Sequence, residues 1–107
     1  MTMNDFQNGA LETAIYPEQY RVIYPALGLA GEAGEAADKV KKILRGDSEL
    51  TDERRKAIAL EIGDVLWYCA TLAHDLGFTL EEIGEMNYAK LKSRKNRGKL
   101  GGSGDNR

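Results

Sequence analysis

The chain is poor in the residues that most often announce a chemistry. Its 107 residues include one cysteine, one histidine, one tryptophan and two prolines. A single Cys69 excludes an intrachain disulfide and fits a reducing, cytoplasmic setting. Cys69 and His74 together do not supply a zinc-ligand spacing, and both read as structural. No secretory signal or transmembrane stretch stands out. The longest apolar segment, 57–73, is short for a span and carries two acids. No stretch of useful length alternates apolar and polar residues as a strand would.

What the chain does have is charge, unevenly placed. Acidic and basic residues nearly balance, at a net charge of -2, so neither nucleic acid nor a membrane is an expected partner. Residues 47–85 nevertheless hold ten acids against three bases, and residues 86–107 hold seven bases against one acid. A basic tail for nucleic acid is one meaning of this split. The other is that acids and bases meet around one ligand, the acids through metal and the bases directly.

The spacing predicts an all-α, four-helix-bundle-like domain over residues 1–97, with two long and two shorter helices. The first helix is expected from Asn4 to about Ile15, ended by Tyr16-Pro17. The segment Tyr20 to Tyr24 is a connector or a lead-in. Helix two is expected from Pro25 to Leu44, with a Lys/Arg-rich end and Gly46 as the stop. A loop follows at 46–50. Helix three is expected from Asp52 to Leu76, between Thr51 as N-cap and the Gly77 stop. Helix four starts with the capping box Thr79-Leu80-Glu81-Glu82 and runs to about Arg94. The Gly-rich tail, 98–107, is expected to be flexible without ligand. So small a domain buries little, and a second copy closing one wall would complete a two-sided site.

The informative residues are Glu32-x-x-Glu35 and Glu61-x-x-Asp64. In a helix, residues i and i+3 rise about 4.5 Å and differ by about 60° in direction, so each pair shares a patch. An E-x-x-E pair alone is usually a solvated face. An E-x-x-D pair in an apolar helix is less ordinary: between Lys56 and His74, Glu61 and Asp64 are the only charged residues. Such acids need bases or a cation beside them. Four carboxylates from facing helices suit magnesium (Mg2+), with manganese (Mn2+) as a substitute. Lys39 and Lys42 fall near the same face of helix two. Gly and Ala fill most of 28–37, which lets a ligand or backbone come close.

On helix four, Asn87, Lys90 and Arg94 share a face that could reach phosphate oxygens. The alternative is a solvated C-terminus favoured by the helix dipole. Trp67 follows Asp64 by three residues and could stack on a base, although a core tryptophan is commoner. Tyr68 and Thr71 adjoin it.

Taken in order, GLAGEAGEAADKVKKILR, EIGDVLWYCATLAHDLG and NYAKLKSR resemble the MazG-like nucleoside triphosphate pyrophosphohydrolases. The likeness covers roughly residues 5–107, with one copy of the motif and 25 residues between its two acid pairs. It implies an all-α fold, a homodimer or homotetramer, and magnesium held by Glu32, Glu35, Glu61 and Asp64. It also implies cleavage of a (deoxy)nucleoside triphosphate to the monophosphate and pyrophosphate. Asn87, Lys90 and Arg94 match the family's helix-four phosphate contacts. On that basis Glu35 is the candidate proton acceptor, working with Glu61. Lys90 and Arg94 stabilise phosphate charge, and Lys39, Lys42, Trp67 and Asn87 bind substrate. The rival class is a nucleotide- or metal-binding regulatory module without turnover.

Overall fold

A computed structural model describes residues 1–47 and 49–107. Ser48, inside the loop expected at 46–50, lies outside the described residues. The elements in order are α1 (Met3–Glu12), a 3-10 turn (Glu18–Tyr20), α2 (Ile23–Leu44), α3 (Asp52–Asp75) and α4 (Leu80–Asn96). All regular structure among the described residues is helical, as expected.

The helix ends follow from local chemistry. Thr79 accepts from the Glu82 amide while the Glu82 side chain accepts from the Thr79 amide, closing the expected capping box. Thr51 caps α3 through the Arg54 amide. At the other ends Gly46 and Gly77 take φ of +91° and +86°. Each lets the next residue's amide fold back five positions: Asp47 N–H to the Lys42 carbonyl, and Phe78 N–H to the Ala73 carbonyl. A second capping box, Thr2 with Asp5, starts α1.

Three boundaries differ from expectation. α1 stops at Glu12 rather than about Ile15, α2 begins at Ile23, two residues before Pro25, and α4 runs two residues past Arg94 to Asn96. Pro25 still sits in the first turn, where its missing N–H costs nothing.

α1 lies across the α3–α4 corner, and the closed core is there. Ala10, Ala70, Ala73 and Leu80 are buried, with Phe6, Trp67, Cys69 and Ile83 packed against them. Gln7, almost fully buried, binds the corner by its amide. Nε2 donates to the carbonyls of Ala70 (3.1 Å) and Phe78 (3.0 Å), and Oε1 accepts from Leu80 N–H (3.2 Å). Asn4 Oδ1 accepts from the Glu81 N–H, and its Nδ2 donates to the Glu81 carboxylate, both at 3.1 Å. These bonds satisfy the first free amides of α4 and a carbonyl of the turn.

The α2–α3 hairpin leaves this core and runs outward. Apolar residues surround α3 as the sequence shows, but within one chain Leu60, Ile62 and Leu66 remain exposed. The Cα radius of gyration is 16.6 Å, against about 13 Å for a compact domain of this length. The tail turns back on the end of α4, with the Asp105 carbonyl accepting from Arg94 Nη2 at 2.9 Å.

Candidate metal and phosphate site

α2 and α3 pack along their length. At Gly28 any side chain would run into the Tyr68 ring. One turn further along α2 stands Glu32, and across from it α3 presents Glu61 and Asp64. The three carboxylates each bring an oxygen to within 4.8 Å of the others. They come from residues spaced by one helical turn on one rod and one residue on its neighbour, so the backbone holds them together despite their like charge.

Electrostatics show the tension. A carboxyl–carboxyl hydrogen bond to Glu61, then burial and the neighbouring Glu35 and Asp64, push Glu32 above the usual carboxylate range. Lys39 Nζ lies 3.1 Å from Glu61 Oε1. That contact, against the opposing effect of burial, holds Glu61 below its usual range, and the same contact raises Lys39. The second oxygen, Glu61 Oε2, is buried and meets no donor. A protonated Glu32 could give it one. With both groups ionised, Lys39 offsets one oxygen of Glu61 and the other is left without a donor among like charges, a situation a cation resolves. Hard carboxylate oxygens in this number fit magnesium or manganese.

Glu32 and Asp64 also line a cavity of about 340 Å³ with Thr13, Trp67 and Tyr68. Trp67 donates from Nε1 to Thr13 Oγ1 at 2.8 Å and meets Tyr68 edge-on, with centroids 5.0 Å apart. Beside Glu61, Lys39 joins Lys42 and Arg54 around a smaller hollow of about 160 Å³. Arg54 and Thr13 carry no motif that sequence reasoning could have used; only the packing of α3 and α1 brings them here.

The other expected residues lie as follows. Glu35 is exposed and outside the trio, although its charge reaches Glu32 and Lys39. Lys42 pairs with Asp38 at 2.9 Å. α4 packs on α1 and α3, and its residues are absent from the lining of both hollows. Asn87 instead lines a groove with Tyr88, Leu91 and Lys92. Lys90 is exposed, and Arg94 is buried under the tail. Cys69 is half-buried, and burial pushes its thiol up, away from nucleophilic use.

The model of the MazG nucleotide pyrophosphohydrolase domain matches residues 25–98, which hold both acid pairs and α4. The chain belongs to this family. MazG domains are in general nucleotide pyrophosphohydrolases, and the acid trio stands where α2 and α3 of this MazG domain face each other. The Gene 37 protein of Mycobacterium phage L5 is 46% identical over 114 residues, covering all of both chains. No solved structure matches the chain. Among the described residues no helix is long and apolar enough to cross a membrane.

Proposed function

We propose that the chain hydrolyses (deoxy)nucleoside triphosphates to the monophosphate and pyrophosphate with magnesium, serving nucleotide-pool control or house-cleaning. The observation that carries this reading is the buried, donor-less Glu61 Oε2 inside a cluster of three carboxylates. Glu32, Glu61 and Asp64 would hold the cation, with Glu35 joining from the next turn of α2. When bound, the cation neutralises phosphate charge and acidifies water.

The chain's own groups do the rest. Glu35, exposed beside the trio, takes the proton of the attacking water. The new bond forms from water oxygen to the α-phosphorus. The bond from that phosphorus to the bridging oxygen breaks, and pyrophosphate leaves. Lys39, Lys42 and Arg54 offer positive charge beside the acids for the departing phosphates. Trp67 and Tyr68 form an aromatic wall for base or sugar.

Phosphate contacts from Asn87 and Lys90 would come from a second copy, since α4 does not line the acid pocket of its own chain, and Arg94 would join them only once the tail that covers it lifts. The exposed Leu60, Ile62 and Leu66 and the extended shape support a homodimer or homotetramer built on the α2–α3 hairpin.

A panel of nucleoside and deoxynucleoside triphosphates with magnesium, scored for pyrophosphate and orthophosphate, tests the proposal. Pyrophosphate release from at least one of them is expected. Tight metal-dependent binding with no product would favour a regulatory module instead.

A further inference from the structure

At the far end of α3 from the acid pocket, Asp75 is a second well-built polar centre that the proposed chemistry does not use. Its side chain is only 3% exposed. Oδ2 accepts from Tyr16 Oη at 2.8 Å and from the Val22 backbone N–H at 2.9 Å, and Oδ1 accepts from Arg21 Nε at 3.4 Å. All three donors belong to the segment that leads into α2.

That segment has an unusual backbone. Val22 takes φ 69° and ψ -54°, and the Ile23 N–H bonds back to the Arg21 carbonyl at 2.8 Å. Together these define a γ-turn of the rare positive-φ hand, which a β-branched residue enters only when its surroundings hold it there. Asp75 is what holds it. The turn is the point from which α2 departs, so it sets the path of the helix that carries Glu32.

A second link runs through aromatic rings. Tyr16, fixed by Asp75, stacks on Tyr24 with centroids 4.8 Å apart and planes 18° apart. Tyr24 in turn lies against Tyr68, 6.3 Å between centroids. Tyr68 walls the acid cavity and abuts Gly28, one turn before Glu32. Burial and then the Asp75 bond push the Tyr16 hydroxyl up to about 12, so it stays a donor at any ordinary pH.

We propose that Asp75 is a positioning residue for the acid pocket. Through the γ-turn at Val22 and the Tyr16–Tyr24–Tyr68 stack, it fixes where α2 places Glu32 against Glu61 and Asp64. The inference rests on reading that trio as a cation site.

The test is manganese binding by the full chain, followed by the spin resonance of free Mn2+, which needs no turnover. Asp75→Asn should raise the dissociation constant roughly threefold to tenfold. Tyr24→Leu, which breaks the stack while leaving Asp75 intact, should shift it the same way. Tyr24→Phe should restore the wild-type value. Gln7→Leu, a destabilising change at the distant corner, should lower the melting temperature without moving the constant.

Wild-type manganese affinity in both Asp75→Asn and Tyr24→Leu, measured where both are folded, overturns the inference. If Asp75→Asn does not fold, Tyr24→Leu against Tyr24→Phe decides. Manganese binding without nucleotide cleavage would sink the hydrolase reading and leave this inference to the same titration. A wild type that takes up no manganese would overturn both.

Discussion

Over its last turns α3 is sealed: Ala70, Thr71 and Ala73 are buried, and Gln7 and Asn4 close the corner with α1 and α4. Over its first half the same helix is open. Leu60 is 66% exposed, and Glu61 keeps a buried oxygen without a donor. The closed end satisfies nearly every polar group within the chain and so explains why the chain folds. The open end leaves both apolar surface and negative charge unsatisfied within the chain; the proposed function would bring a cation to the acids and a second copy to the leucines. Stability and function are thus divided along one rod.

Changes at the open end should break function without breaking the fold. Glu61→Gln and Asp64→Asn should each reduce pyrophosphate release by roughly 100-fold or more, with unchanged helical circular dichroism. Full activity in both at ordinary magnesium would remove the acid trio from the chemistry. Next in size, Leu60→Glu with Leu66→Glu should yield a species with the mass of one chain in sedimentation, and activity should fall with the assembly. A wild type that already sediments as one chain would end the argument from exposed leucines.

At the closed end the expected outcome is reversed. Gln7→Leu orphans the Phe78 carbonyl and the Leu80 amide and takes one donor from the Ala70 carbonyl, and should cost roughly 2–4 kcal/mol in urea unfolding. Activity per folded molecule should hold. Lost activity at full folding would erase the division between the ends.

The comparison also dictates what could be read in advance. The glycine stops at Gly46 and Gly77 and the Thr79–Glu82 box were legible because each is settled within six residues of chain. The start of α2 was not. The γ-turn at Val22 exists because Asp75, 53 residues later, receives its amide, and no local propensity reports that. Nothing local marks Gln7, since only the Phe78 carbonyl and the Leu80 amide of the corner give it a purpose.

The acid pairs were legible as pairs, but spacing alone could not say that Glu32 would face α3 while Glu35 would point outward. The apolar girdle of α3 was visible too. It marked a helix with apolar residues nearly all round, but not that a single chain leaves part of them exposed. Whether the basic face of α4 sits near the acids depends on which helices pack together, a matter of topology that periodicity does not carry.

The smallest effect concerns acid. Burial alone would raise Asp75, but the Val22 amide, the Tyr16 hydroxyl and Arg21 outweigh it and hold the carboxyl below its usual 3.8. A depressed carboxyl contributes stability that is full above the unfolded value and is lost as pH falls through the folded one. Wild type should therefore lose stability below about pH 4 more steeply than Asp75→Asn, as read by melting temperature across an acid series. Parallel curves would detach Asp75 from the clamp.

Trp67 is the chain's one tryptophan, and it stands on the cavity wall with its indole N–H tied to Thr13, just beyond α1. The molecule thus carries a built-in optical reporter with two inputs. Its emission should respond when a ligand enters beside Asp64. It should respond differently when the first helix peels away and frees the indole, so one lamp watches both the door and the hinge.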